Sequence, residues 1–82
     1  MDNTMVRPVS ASVMSQLSLL MWSMMTRQPV VMTSNARDAQ VLSVVNRVTC
    51  EDGSGERYIV DFSNGESLYA DLGKGFTNVR AA

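Results

Sequence analysis

The sequence predicts an α+β domain: an N-terminal helix packed on a three- to four-stranded antiparallel β-meander. Three observations carry this. The stretch Glu56 to Leu72 alternates strand-forming residues around Ser63-Asn64-Gly65, a hairpin signal. Apolar residues between Ser12 and Arg27 recur at helical spacing. The valines of Gln40 to Cys50 run straight into the turn Glu51-Asp52-Gly53-Ser54-Gly55, which joins them to the hairpin. At 82 residues the chain is read as one small domain, with a leader over 1–10, a helix over 12–27, a sheet over 28–72 and a tail over 73–82.

The leader is expected to be loose. Arg7-Pro8 disfavours helix just before the proline, and Ser10 or Ser12 can cap the helix beyond it. In the helix, Val13, Met14, Leu17, Leu20, Met21, Met24 and Met25 make one broad apolar stripe, read as the face that meets the sheet. Leu19 and Trp22 fall outside it and are read as an interface with a partner or a second copy. Pro8 to Thr26 holds no charge, yet seven of its residues are Ser, Thr or Gln, which argues against a membrane span. A signal peptide is disfavoured too, because Asp2 offsets Arg7 and serines interrupt the apolar run.

Gln28 to Thr33 is a short strand, placed at an edge or a strand start by Pro29. Ser34 to Asp38 reads as a loop. Gln40 to Cys50 has valines at a spacing that suits a helix, but their number favours a strand. A five-residue turn pairs Cys50 with Glu56, Val48 with Tyr58 and Val44 with Phe62. Leu42, Val44 and Val48 then share the core face, with Asn46 pointing inward.

The hairpin fixes its own register. A two-residue loop mixes charged and apolar groups on both faces. A three-residue loop, Ser63 to Gly65, pairs Phe62 with Glu66, Val60 with Leu68 and Tyr58 with Ala70. Tyr58, Val60, Phe62, Leu68, Ala70 and Leu72 then share one face, and burial selects this register. It requires Gly65 in the left-handed conformation. The other face carries Val41, Val45, Ile59 and Tyr69, a second surface expected to meet the tail, a curled strand or a partner. In the tail, Gly73-Lys74-Gly75 ends the last strand, and Phe76 and Val79 can dock back.

The pattern Tyr-x-Val-x-Phe-x-x-Gly, Tyr58 to Gly65, resembles the strand–turn pattern of small SH3-like or Tudor-like barrels. It covers under a third of the chain. The resemblance implies an alternative architecture, a small SH3-like barrel with an appended helix.

Composition excludes more than it assigns. Without histidine there is no Ser-His-Asp or Cys-His arrangement, and the commonest zinc ligand is missing. Cys50 is the single cysteine, so no intrachain disulfide forms, and a reducing cytoplasm is expected. The Asp52-Gly53-Ser54-Gly55-Glu56 run starts like a calcium loop but has Arg57 where the turn glycine belongs and Ser63 where the distal Glu belongs. No cofactor fingerprint is present, and catalysis is not expected.

Net charge is −1, yet Glu51 to Leu72 holds six acids (Glu51, Asp52, Glu56, Asp61, Glu66, Asp71) and one base, a local balance of −5. This acidic patch is a solvated strand surface or a site for a basic partner. The expected function is therefore that of a non-enzymatic protein-binding module, forming a homodimer and occupying a surface of a partner protein as an inhibitor or adaptor. Such short products are a format used by viruses and mobile elements. A nucleic-acid-binding sheet with Arg37, Arg47, Arg57 and Tyr69 as contacts is the alternative, disfavoured by the acidic hairpin. A structural subunit of a larger assembly is the third.

Overall fold

The computed structural model describes residues 11–34 and 37–82. The loose leader expected over 1–10 lies outside the described residues. Helix α1 spans Ala11–Thr26, and five strands follow: β1 Pro29–Ser34, β2 Arg37–Cys50, β3 Arg57–Phe62, β4 Ser67–Asp71 and β5 Thr77–Ala81. They form one antiparallel sheet in the order β4-β3-β2-β1-β5. The α+β class holds, with one strand more than the sequence suggests. The segment read as a tail supplies β5, which pairs not with its neighbour β4 but with β1, Met32 opposite Val79.

Helix α1 stops where the backbone turns left-handed. Arg27 sits at φ 58° and its N–H donates to the Ser23 carbonyl at 2.9 Å, a helix-ending turn usually built on glycine. Pro29 then opens β1, where a missing N–H does least harm.

The hairpin register is the expected one. Val60 lies opposite Leu68 and Tyr58 opposite Ala70. The Phe62 N–H donates to the Glu66 carbonyl at 2.8 Å, and Gly65 takes φ 91°. The expected inner face is the real one: Tyr58, Val60, Phe62, Leu68, Ala70 and Leu72 are all buried.

Strand β2 departs from expectation in three ways. It begins at Arg37, so the loop read over Ser34 to Asp38 shrinks. Ser34 closes β1 opposite Arg37, while Asn35 and Ala36 lie outside the described residues. Its register with β3 is shifted by two residues, Cys50 meeting Tyr58 and Val48 meeting Val60. A bulge between Val45 and Arg47 then exchanges the faces of everything before it. Val41 and Val45 are therefore core residues, not members of an outer surface, and Leu42 is 68% exposed. Asn46, the extra residue, points to solvent, so no buried amide needs a partner.

The bulge lets β2 serve two halves of the sheet. Gln40 to Val44 pairs with β1, and Val45 to Cys50 pairs with β3. The sheet stays open but curls until its two sides meet. The Ser34 hydroxyl donates to the Tyr69 carbonyl at 2.7 Å, and the Asp71 N–H donates to Thr77 Oγ1 at 2.9 Å. Both hydroxyls are buried. They satisfy outer-edge groups of β4 that a strand neighbour would otherwise take. The curl encloses one core, to which α1 adds Val13 and Leu20.

Candidate interaction surface

The face of α1 that packs on β1, β2 and β5 overlaps the stripe expected from periodicity only in part: Val13, Leu17, Leu20 and Met24 meet the core, and Met14, Met21 and Met25 do not. Val13, Leu20 and Ser23 are buried, with Leu17, Leu19 and Met24 partly buried against the core. Relative to the expected stripe, the helix is rolled by roughly a quarter turn at 100° per residue. Two polar side chains set the roll. The buried Ser23 hydroxyl donates to the Gln28 carbonyl at 2.5 Å and accepts the Val45 N–H at 2.9 Å. The Gln16 amide accepts the Val79 N–H at 2.7 Å and donates to the Val79 carbonyl at 3.5 Å. Both face the sheet, on the side of the helix that periodicity assigns to solvent.

The roll turns methionines outward. Met14, Met21, Trp22 and Met25 are 54%, 50%, 37% and 82% exposed. With Leu17, Ser18 and Thr26 they line an open groove of about 440 Å³. The sequence pairs Trp22 with Leu19. The structure separates them: Leu19 packs toward the core, and Trp22 joins Met14, Met21 and Met25. Periodicity assigns those three methionines to the core, because apolar spacing does not distinguish the two sides of a helix this apolar. The whole of α1, Ala11 to Thr26, carries no charged residue.

The outer face of β2, β3 and β4 is differently made. Arg47 Nε donates to Asp61 at 3.1 Å, and the Ser67 hydroxyl donates to the same carboxylate at 2.6 Å. These hydrogen bonds, Ser67 first and Arg47 second, hold the Asp61 carboxyl below its usual pKa. Arg57 lies 3.8 Å from Asp71. Between these pairs Ile59 is half-buried beside Tyr69, whose hydroxyl donates to Glu51; that bond, before any effect of burial, raises the phenol pKa. Of the expected surface Val41, Val45, Ile59 and Tyr69, only the last two lie here.

The expected acidic patch is thus broken up. Asp61 and Asp71 face arginines, and Glu51 holds Tyr69. Asp52 accepts the Ser54 N–H at 2.9 Å within its own turn, and hydrogen bonding to Ser54 lowers its pKa. Glu56 and Glu66 each have partners as well. Cys50 is free and exposed. Among the described residues no group of three His, Cys, Asp or Glu is placed to hold a metal. No described helix is long and apolar enough to cross a membrane.

No family model matches the chain, and no curated protein or solved structure is detectably similar to it.

Proposed function

We propose that this chain is a non-enzymatic protein-binding module that docks through the outer face of α1. The observation behind this reading is the groove of Met14, Met21, Trp22 and Met25, four large apolar side chains left wet on a helix without charge. Water penalises such a face, and a protein partner that covers it recovers the loss. Methionine adapts its shape to the surface it meets, and Trp anchors it. The role is that of an inhibitor or adaptor, in a reducing compartment such as the cytoplasm, where a lone exposed Cys50 is tolerated.

The charged sheet face supports a nucleic-acid reading less well. Arg47 and Arg57 are each matched by an aspartate, and Glu51 adds a further negative charge beside them. Such a face gives phosphate no net attraction.

The test is capture of partners from the native host with the wild-type chain and with a Met21→Lys, Met25→Lys variant. The variant should lose the complex while its thermal unfolding stays within about 0.5 kcal/mol of wild type, since both sites face solvent. The wild-type complex should survive raised salt, as an apolar contact does. A complex that dissolves steeply with salt and survives both lysines points instead to a charged ligand on the sheet.

A further inference from the structure

We infer that the occupant of this groove is a second copy of the same chain, its α1 crossing the first antiparallel about a two-fold axis. The inference rests on the reading that the outer face of α1 is the docking surface, and it names the partner. An isologous contact needs a patch complementary to itself. In an antiparallel pair, residues whose numbers sum to one constant stand opposite. Six of the seven groove residues obey such a rule about the midpoint between Leu19 and Leu20, and Thr26, whose counterpart Val13 is buried, lies outside it. Met14 meets Met25 of the partner subunit, Leu17 meets the partner's Trp22, and Ser18 meets the partner's Met21. In two of the three pairs a smaller side chain faces a larger one, which lets the helices approach and interdigitate.

Charge permits the same arrangement. A two-fold sets a patch against a copy of the same patch, so a patch charged with one sign resists self-pairing. This face carries no charge. Antiparallel helices also oppose their dipoles favourably.

Area sets the strength. At roughly 200 Å² for a large side chain, the exposed fractions of Met14, Met21, Trp22 and Met25 come to on the order of 450 Å² per copy, about 900 Å² for the pair. A specific interface needs about 1,000 Å², so the dimer belongs at the weak, transient end.

Sedimentation of the full chain from low micromolar to sub-millimolar concentration reads this directly. A concentration-dependent dimer is expected. Met21→Lys, which sets two ammonium groups near the axis, should weaken it by about tenfold or more with an unchanged circular dichroism spectrum. Geometry is read in a Cys50→Ser background. Mixing Met14→Cys chains with Met25→Cys chains under oxidation should give a mixed disulfide dimer, while neither variant crosslinks alone. Three results overturn the inference. A chain that stays monomeric throughout removes the second copy but leaves docking on another protein standing. Crosslinking of Met14→Cys to itself shows parallel helices. A dimer indifferent to Met21→Lys meets elsewhere; if partner capture is equally indifferent, the docking reading falls with it.

Discussion

Ser23 concentrates the logic of the molecule in one hydroxyl. Serine is an indifferent helix former and, by periodicity, belongs on the solvent side. Here it is fully buried, receiving the N–H of Val45 beside the β2 bulge and giving its own hydrogen to Gln28 just past the helix end. The β1–β2 ladder ends at Pro29 opposite Val44, so the next groups along, the Val45 N–H and the Gln28 carbonyl, are bridged by Ser23 instead. Replacing Ser23 with Ala removes little volume but strands the Val45 N–H in the core. Ser23→Ala is expected to cost about 1–3 kcal/mol, the penalty of a buried unsatisfied donor. Urea unfolding followed by circular dichroism measures it. A loss below about 0.5 kcal/mol, the size of an ordinary surface change, would mean that the Val45 N–H finds another acceptor without the hydroxyl.

Among the elements, β5 owes its place to α1 as much as to the sheet. It lies at an edge, bonded to β1 on one side, and its other side is met at Val79 by the Gln16 amide. A side-chain amide offers the donor and acceptor of a peptide group, so Gln16 stands in for one residue of a missing strand. Gln16→Ala should cost about 1 kcal/mol and make the Val79 amide exchange several-fold faster, with Val60 in the sheet centre unaffected. Unchanged exchange at Val79 would show that β5 is held by β1 alone. The same contact explains what the sequence could and could not show. The β3–β4 hairpin was legible because parity and Gly65 admit one register that puts Tyr58, Val60, Phe62, Leu68, Ala70 and Leu72 on a single buried face. β5 was not, because Thr-Asn-Val-Arg-Ala buries only Thr77 and Val79 and so carries little hydrophobic signal. The α1 side chains were legible as helical, but not the roll of the helix. Polar contacts from Ser23 and Gln16 decide that roll, and a helix apolar on both sides offers no contrast against which to read it. The bulge at Asn46 was likewise hidden, since one extra residue in a valine-rich strand moves Val41 and Val45 inward without changing its composition.

For the whole molecule, the titratable groups leave a wide neutral plateau bounded at both ends. No histidine changes charge near neutrality. On the acid side, Asp61 is depressed by its bonds to Ser67 and Arg47, and Asp52 by its bonds to Ser54. A depressed carboxyl binds protons less readily folded than unfolded. Its contribution is complete above the unfolded pKa of about 4 and is lost as pH falls through the lower folded value. On the alkaline side the sign reverses. Tyr58 is raised by burial, and Tyr69 by its bond to Glu51. Their contribution is complete below the unfolded pKa of about 10 and is lost as pH rises through the folded values. Melting temperature plotted against pH should therefore stay flat from about pH 5 to 8 and fall beyond about 4 and about 10. Asp52 is exposed and Asp61 only half-buried, so the acid decline should be shallow. Asp61→Asn should flatten it further while leaving the alkaline limb in place. Tyr69→Phe should flatten only the alkaline limb, because the phenol and its bond to Glu51 go together. A melting temperature that changes steeply between pH 5 and 8 would refute this assignment.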